Sequence, residues 1–231
     1  MPDFQDSLDR FYTKLAQIYL KDDARQSGYQ STWWFRRVVN VIKTELKIHK
    51  IYSETIVDLG CGSGLFLKHV FPKHKNLIGV DFNELACERA LQRGINAIRA
   101  DIFNLPFKEQ SLTNICCINV LQQFSFDDIS HFIKSSASIL RQDGIFILVW
   151  RNDECVLHKL ARLVYSLSFK KNKSFSWYGH SLHDIVTLLS VNRIGILSAC
   201  AISAVLGTRL RSSSPISRLL GAEFFVVAVK Q

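Results

Sequence analysis

A chain of 231 residues with 48% hydrophobic and 21% charged side chains can bury a sizeable core and is too apolar for intrinsic disorder. Its longest nearly uncharged apolar run, Ile194 to Gly207, has 14 residues, short for a bilayer span, and the acidic start MPDFQDSLDR does not read as a secretory signal. The net charge of +9 is uneven: residues 1–150 carry 18 Lys and Arg against 16 Asp and Glu, and residues 151–231 carry 11 against 4. The basic second part suits nucleic acid, anionic lipid or an acidic small molecule, or solubility alone.

Residues 4–21 place Leu8, Phe11, Tyr12, Leu15 and Ile18 at helical spacing. After the polar break DDARQSGYQST, Ser31 or Thr32 can cap a second helix through WWFRRVVNVIKTELKIHK. From residue 55, short apolar runs alternate with amphipathic stretches. Strands are predicted at TIVDL (55–59), NLIGVD (76–81), NAIRAD (96–101), SLTNICCINV (111–120) and GIFILVW (144–150), with helices at 64–70, 84–93 and 127–140. Repeated strand–helix–strand implies right-handed crossovers and a parallel sheet covered on both faces.

Two more helices are predicted at about 153–169 and 181–190, then strands at 193–205 and 222–229. The linker TRLRSSSPISRLLG between those strands contains Pro215 and several serines, which rule out a continuous strand. In the first of the two helices Val156, Leu157, Leu160, Leu163, Val164 and Leu167 form one stripe, followed by Lys170, Lys171 and Lys173. That stripe is read as a core face, with peripheral contact to an anionic membrane surface as the alternative. No break in composition separates a second domain, so residues 1–231 are expected to form one.

Six cysteines stand at 61, 87, 116, 117, 155 and 200, without a Cys-x-x-Cys pair or a His cluster. Free buried thiols in a reducing, cytoplasmic setting are expected, and no metal site. Cys116 and Cys117 should point to opposite faces of one strand.

The most informative stretch is IVDLGCGSGLF, residues 56–66. Ile56, Val57 and Leu59 suit a strand, whereas Gly60, Gly62 and Gly64 break one. Glycine permits positive φ and leaves no Cβ in the way of a ligand. The helix that follows offers unsatisfied N–H groups, and ligands of open α/β sheets bind beyond the carboxyl ends of the strands. The Gly-x-Gly-x-Gly spacing departs from the dinucleotide fingerprint, and no Gly-Lys-Ser/Thr follows as a Walker loop requires. Asp58, just before the loop, is an awkward neighbour for pyrophosphate and a good one for an ammonium group.

VDLGCGSG (57–64) resembles the first motif of the class I S-adenosylmethionine-dependent methyltransferases, of the small-molecule, type 11-like kind. The resemblance extends through GVDFNELACERA (79–90), ADIFNLPF (100–107), INVLQQF (118–124) and ILRQDGIFILVW (139–150), and GAEFFVVAVK (221–230) is similar to that family's last, antiparallel strand. It implies a Rossmann-like, seven-stranded, mostly parallel sheet with an antiparallel last strand, helices on both faces and an N-terminal helical lid. Residues 1–50 would be the lid, 51–150 the cofactor-binding core and 151–231 the substrate-side helices and closing strands.

The resemblance implies S-adenosylmethionine as cofactor. Gly60, Cys61, Gly62 and Gly64 would line its methionine end, with Asp58 near the ammonium. Asp81 would accept from both ribose hydroxyls, and Phe82 would lie against adenine or ribose. Asp101 would meet the adenine amino group with Ile102 over the ring, and Asn119 and Leu121 would border the methionine moiety. A lone Asp such as Asp101 can equally be a turn or cap residue, and Phe82 and Ile102 can be plain core.

Methyl transfer needs alignment and exclusion of water more than a nucleophile or a metal. Several relatives carry His-His after the Val-Leu of the fourth-strand motif, where this chain has Gln122 and Gln123, so no catalytic base is assigned. Tyr19, Gln123, Arg151 and His180 are candidate substrate contacts; Asn152 and His183 stand beside two of them. Trp33 and Trp34 can line the mouth or pack their helix, and His69 and His74 are read as surface residues. The expected acceptor is small and apolar or lipid- or quinone-like. RNA or protein methylation is the alternative, motivated by pI ≈ 9.3, although INVLQQ lacks the Asp/Asn-Pro-Pro-aromatic signature of enzymes that methylate exocyclic base amines. A non-catalytic cofactor-binding assembly or regulatory protein is a third reading.

Overall fold

The computed structural model describes residues 6–7, 9–11, 13–14, 32–51, 55–152, 154–156, 159–160, 178–203, 209–211 and 220–231. Its centre is one sheet of β1 (Thr55–Leu59), β2 (Asn76–Asp81), β3 (Asn96–Arg99), β4 (Leu112–Ile118), β5 (Leu140–Arg151), β6 (Ile194–Ser203), β7 (Arg209–Arg211) and β8 (Gly221–Lys230). The spatial order is β3-β2-β1-β4-β5-β8-β6-β7. Strands β1 to β5 pair in parallel, β8 runs antiparallel between β5 and β6, and β7 pairs antiparallel with β6. The chain moves outward from β1 to β3 and then returns to β4 on the other side of β1. The loops after β1 and β4 therefore flank the topological switch point, where open α/β sheets hold ligands.

Alternation divides each strand between two apolar layers. Ile56, Cys116, Ile118, Ile147, Val149, Phe225 and Val227 face helices α1 (Thr32–Ile48) and α2 (Leu65–Val70). Val57, Leu59, Cys117, Phe146, Leu148, Val226 and Ala228 face α4 (Phe126–Ile139) and α5 (Leu182–Val191), with α3 (Glu84–Gln92) lying against β2 and β3. Adjacent Cys116 and Cys117 do point to opposite layers, and all six cysteines are free and buried.

Each helix follows from its local sequence. In α1, Phe35, Val38, Val39, Ile42 and Leu46 recur at helical spacing and are buried, each contributing about 1.5–3 kcal/mol relative to exposure. Ser125 and Asp128 form a capping box at α4, and the Ser181 hydroxyl accepts from the Asp184 amide at α5.

The last turn of α1 is clasped to the edge of the sheet. Glu45 is fully buried; its carboxylate accepts from the Ser198 hydroxyl at 2.7 Å and pairs with Arg209 Nε at 2.7 Å. This contact explains an element the sequence did not indicate. Residues 209–211, inside the expected linker, form a short eighth strand on β6.

Other boundaries differ as well: β4 ends at Ile118, two residues before the expected 120. Strand β3 ends at Arg99, before Asp101, and β5 begins at Leu140, directly after α4. Polar Arg141, Gln142 and Asp143 concealed that start; Asp143 takes a left-handed φ of 59°, and the β4–β5 register shifts between Leu112 and Asn114. Most of the helix expected at 153–169 lies outside the described residues, as do Tyr19 and much of 1–31. Of its apolar stripe, Val156 and Leu160 are described, and both are exposed. Among the described residues no helix is long and apolar enough to cross a membrane.

Candidate active site

The site begins with the register of the first two strands. Leu59 lies opposite Val80, so the glycine turn and Asp81 emerge together at one end of the sheet. The Gly60 and Cys61 amides both donate to the Val80 carbonyl, at 2.8 and 3.0 Å, which folds the turn across the tip of β2. Gly60, Gly62 and Gly64 all have left-handed φ, at 79°, 53° and 73°.

The three glycines are nonetheless of two kinds. A Cβ on Gly60 would strike the Val120 side chain, and one on Gly64 would strike Ile95 and press on Ala90. Those two positions are closed by the protein itself. Among the described residues a Cβ on Gly62 would meet nothing within 4 Å, so the turn leaves bare backbone there.

Asp81 stands beside that backbone. Its Oδ2 accepts from the Gly62 amide at 2.8 Å and its Oδ1 from the Asn83 amide at 2.9 Å. Burial raises its pKa, while the amides of Asn83, Gly62 and Phe82 oppose the rise. The carboxylate retains further lone pairs for a ligand's hydroxyls. Asn83 is itself a junction: its Oδ1 caps α3 through the Ala86 amide at 2.8 Å, and its Nδ2 donates to Asp9 Oδ1 at 2.6 Å and Thr13 Oγ1 at 3.1 Å.

Asp58 is buried in β1 opposite Cys116 of β4. Desolvation pushes its pKa up to about 7, opposed by a hydrogen bond with the Cys116 thiol and reinforced by the charge of Asp81. Its Oδ1 has no hydrogen-bond partner among the described residues. A cation nearby would hold this carboxylate ionised.

The remaining candidates divide by environment. Asp101 closes a turn, its Oδ1 accepting from the Phe103 amide at 3.0 Å, and Ile102 is buried in the α4-side layer. Phe82 is half-buried, with its carbonyl accepting from Arg99 Nε. Asn119 follows β4 with a left-handed φ of 59°, and its carbonyl accepts from Gln122 Nε2 at 3.0 Å and Gln123 Nε2 at 3.4 Å. Both glutamines are buried, and Leu121 is fully enclosed.

His180 is buried. Its Nε2 is 2.9 Å from the Phe124 carbonyl, so that nitrogen carries the proton, and its own carbonyl accepts from Trp150 Nε1 at 3.0 Å. The Tyr178 amide donates to the Gln122 carbonyl at 2.8 Å, which stitches residues 178–180 to the turn after β4. His183 and His69 are exposed and His74 is half-buried. Arg151 pairs in register with Glu223, whose Oε1 accepts from Trp34 Nε1 at 3.2 Å. Asn152 is enclosed, giving Nδ2 to the Gly221 carbonyl and taking the Glu154 amide on Oδ1. Trp33 is exposed under Arg37, 5.2 Å from its ring.

Sequence reasoning passed over Asn83, Asp9, Thr13 and Glu223. Two signals were available. An Asn directly before a helical run is a capping signal, and the lone acid in GAEFFVVAVK must find a partner if that strand is interior. Among the described residues no group of three or more His, Cys, Asp or Glu is placed to hold a metal ion.

With this geometry in hand, comparison with known proteins is specific. Residues 57–148 match the family described as "Methyltransferase domain". Over 101 residues the chain is 34% identical to the human "Probable tRNA methyltransferase 9B", covering 43% of this chain but only 22% of that protein. The chain thus spans about a fifth of that relative's length. By structure it resembles magnesium protoporphyrin IX methyltransferase from Synechocystis PCC 6803 with bound SAH (TM-score 0.64, 18% identity, 86% of this chain and 84% of that one). It also resembles a Thermotoga maritima SAM-dependent methyltransferase described as a possible histamine N-methyltransferase (TM-score 0.64, 18% identity, 99% and 100%). The stretch that matches the methyltransferase domain family holds the glycine turn, both acid-bearing strands and the turn after β4, and the solved methyltransferases share the fold around it.

Proposed function

We propose that the chain binds S-adenosylmethionine at the joined ends of β1 and β2 and transfers its methyl group to a small, apolar or quinone-like acceptor. The observation that carries this reading is Gly62: left-handed, without a neighbour among the described residues where a Cβ would stand, and tied by its amide to Asp81. The donor set suits the cofactor. Asp81 offers a carboxylate already held by backbone amides to the ribose hydroxyls, and Asp58 offers an incompletely partnered buried carboxylate to the ammonium.

When bound, the cofactor supplies an electrophilic methyl group on a cationic sulfur. The chain's own task is alignment and dryness. Val120 against Gly60 locks the turn after β4 to the glycine turn, and Leu121, Phe124 and Trp150 belong to the apolar layer that backs that turn. Gln122 and Gln123 are engaged in holding the Asn119 carbonyl, which suits an acceptor that needs no strong base.

A second reading, tRNA as acceptor, is favoured by the 34% identity to the human relative and by the net charge of +9. That similarity covers 101 residues, so it bears on the shared domain more than on the acceptor. Calorimetry of the purified chain with S-adenosylmethionine and S-adenosylhomocysteine tests the cofactor reading. Radiolabelled methyl transfer to an organic-solvent extract, to tRNA and to protein tests the acceptor. Label confined to the extract is expected. Label in tRNA replaces the first reading with the second, and binding without label in any pool points to the non-catalytic alternative.

A further inference from the structure

Asp9 and Thr13 are the least expected neighbours of the candidate site. They stand four residues apart on the N-terminal helical segment, and both reach the Nδ2 of Asn83. Asn83 is 4% exposed and its other polar groups are committed: its amide holds Asp81 and its Oδ1 starts α3. One residue thus joins three parts of the molecule: its backbone amide holds the acid beside Gly62, and its side chain ties the first turn of α3 to the N-terminal segment. The Asp9 charge also acts on Asp81, which places the two carboxylates in one electrostatic neighbourhood.

We propose that Asn83 is a positioning residue for cofactor binding: through Asp9 and Thr13 it latches the N-terminal segment against the cofactor pocket, and through its amide it holds Asp81 in place for the ribose. The proposal rests on the cofactor reading above. Asp9 dominates the latch, because the Thr13 hydroxyl can donate or accept while a carboxylate can only accept. The Nδ2 donors of Asn83 are therefore the specific requirement.

Asn83→Asp separates this role from a merely structural one. Aspartate caps a helix about as well as asparagine, so α3 keeps its cap, but the donor is lost and a second carboxylate faces Asp9. The expected result is a lowered melting temperature at neutral pH from the buried like charges, a dissociation rate for S-adenosylhomocysteine raised about tenfold, and faster hydrogen exchange over residues 6–14 in the ligand-free protein. Adding Asp9→Asn to the Asn83→Asp variant restores a donor facing an acceptor, and the dissociation and exchange rates should both return to within about threefold of wild type. The added charge beside Asp81 remains in that double variant, so recovery isolates the latch. A dissociation rate unchanged in Asn83→Asp, or not restored by Asp9→Asn, overturns the latch while leaving the cofactor reading intact. Failure of the wild-type protein to bind S-adenosylhomocysteine overturns both.

Discussion

Two buried carboxylates on the same side of the sheet are treated in opposite ways. Glu45, in α1, has a serine hydroxyl on one oxygen and an arginine on the other, and it fastens α1 to β6 and β7. Asp58, in β1, has a thiol and an oxygen without a hydrogen bond among the described residues, and its pKa is lifted to about 7. A buried acid supplied with partners has its desolvation cost offset, and removing a partner would expose that cost. A buried acid kept short of them opposes folding, a cost consistent with the proposed cofactor ammonium completing the set. The glycines repeat the contrast: Gly60 and Gly64 are filled in by Val120 and Ile95, whereas Gly62 is left bare among the described residues.

The largest expected effect tests the contrast between the two acids. The folded pKa of Asp58 exceeds its unfolded value of 3.8, so the penalty of ionising it is absent below about pH 4, grows between pH 4 and 7 and is complete above. Asp58→Asn should therefore stabilise the ligand-free protein by up to about 4 kcal/mol at pH 8 and by almost nothing at pH 4, while weakening S-adenosylmethionine binding. Urea denaturation at the two pH values checks the first half and calorimetry the second. A stability gain independent of pH would mean that Asp58 is no stored cost.

Next comes the contrast between glycines. Gly62→Val should lower affinity for S-adenosylhomocysteine more than about 100-fold, near 3 kcal/mol, with a smaller loss of stability from the left-handed φ. Gly64→Val, driven into Ile95 and Ala90, should instead lose stability first, seen as a lowered melting temperature or poor folding. Equal behaviour of the two variants would erase the distinction.

Glu45→Gln should destabilise by about 2 kcal/mol, less than a fully buried pair because the Arg209 side chain is half exposed, and should leave cofactor affinity unchanged. The smallest effect belongs to Trp34→Phe. It removes one hydrogen bond to Glu223 and should cost about 1 kcal/mol in chemical denaturation.

Much of the sheet was legible because parallel interior strands are apolar runs punctuated by turns, and TIVDL and NLIGVD match β1 and β2 residue for residue. Strand β7 was not, since three residues carrying two arginines have no periodicity; pairing with β6 and the distant Glu45 give them a place. In the candidate site, the identities of Asp58, Gly62 and Asp81 were readable, because close backbone approach and paired acids leave marks in composition. Their division of labour was not. Nothing local says that Gly60 faces Val120 while Gly62 faces none of the described residues, that His180 folds under the turn after β4, or that Asn83 meets residues 70 and 74 positions earlier in the chain. Such facts are set by side chains far apart in sequence, and a single chain read alone carries no record of them.

The position of β8 has a consequence for how the molecule is made. Although β6 and β7 precede it in the chain, β8 lies between β5 and β6 and pairs along both of its sides. The sheet cannot then be laid down in the order of synthesis. Until Gly221–Lys230 slots in, β5 and the β6–β7 hairpin each show a raw hydrogen-bonding margin to the cell, the kind of margin that invites intermolecular pairing. Any shortening that removes this strand would leave two fragments of sheet with no seam between them.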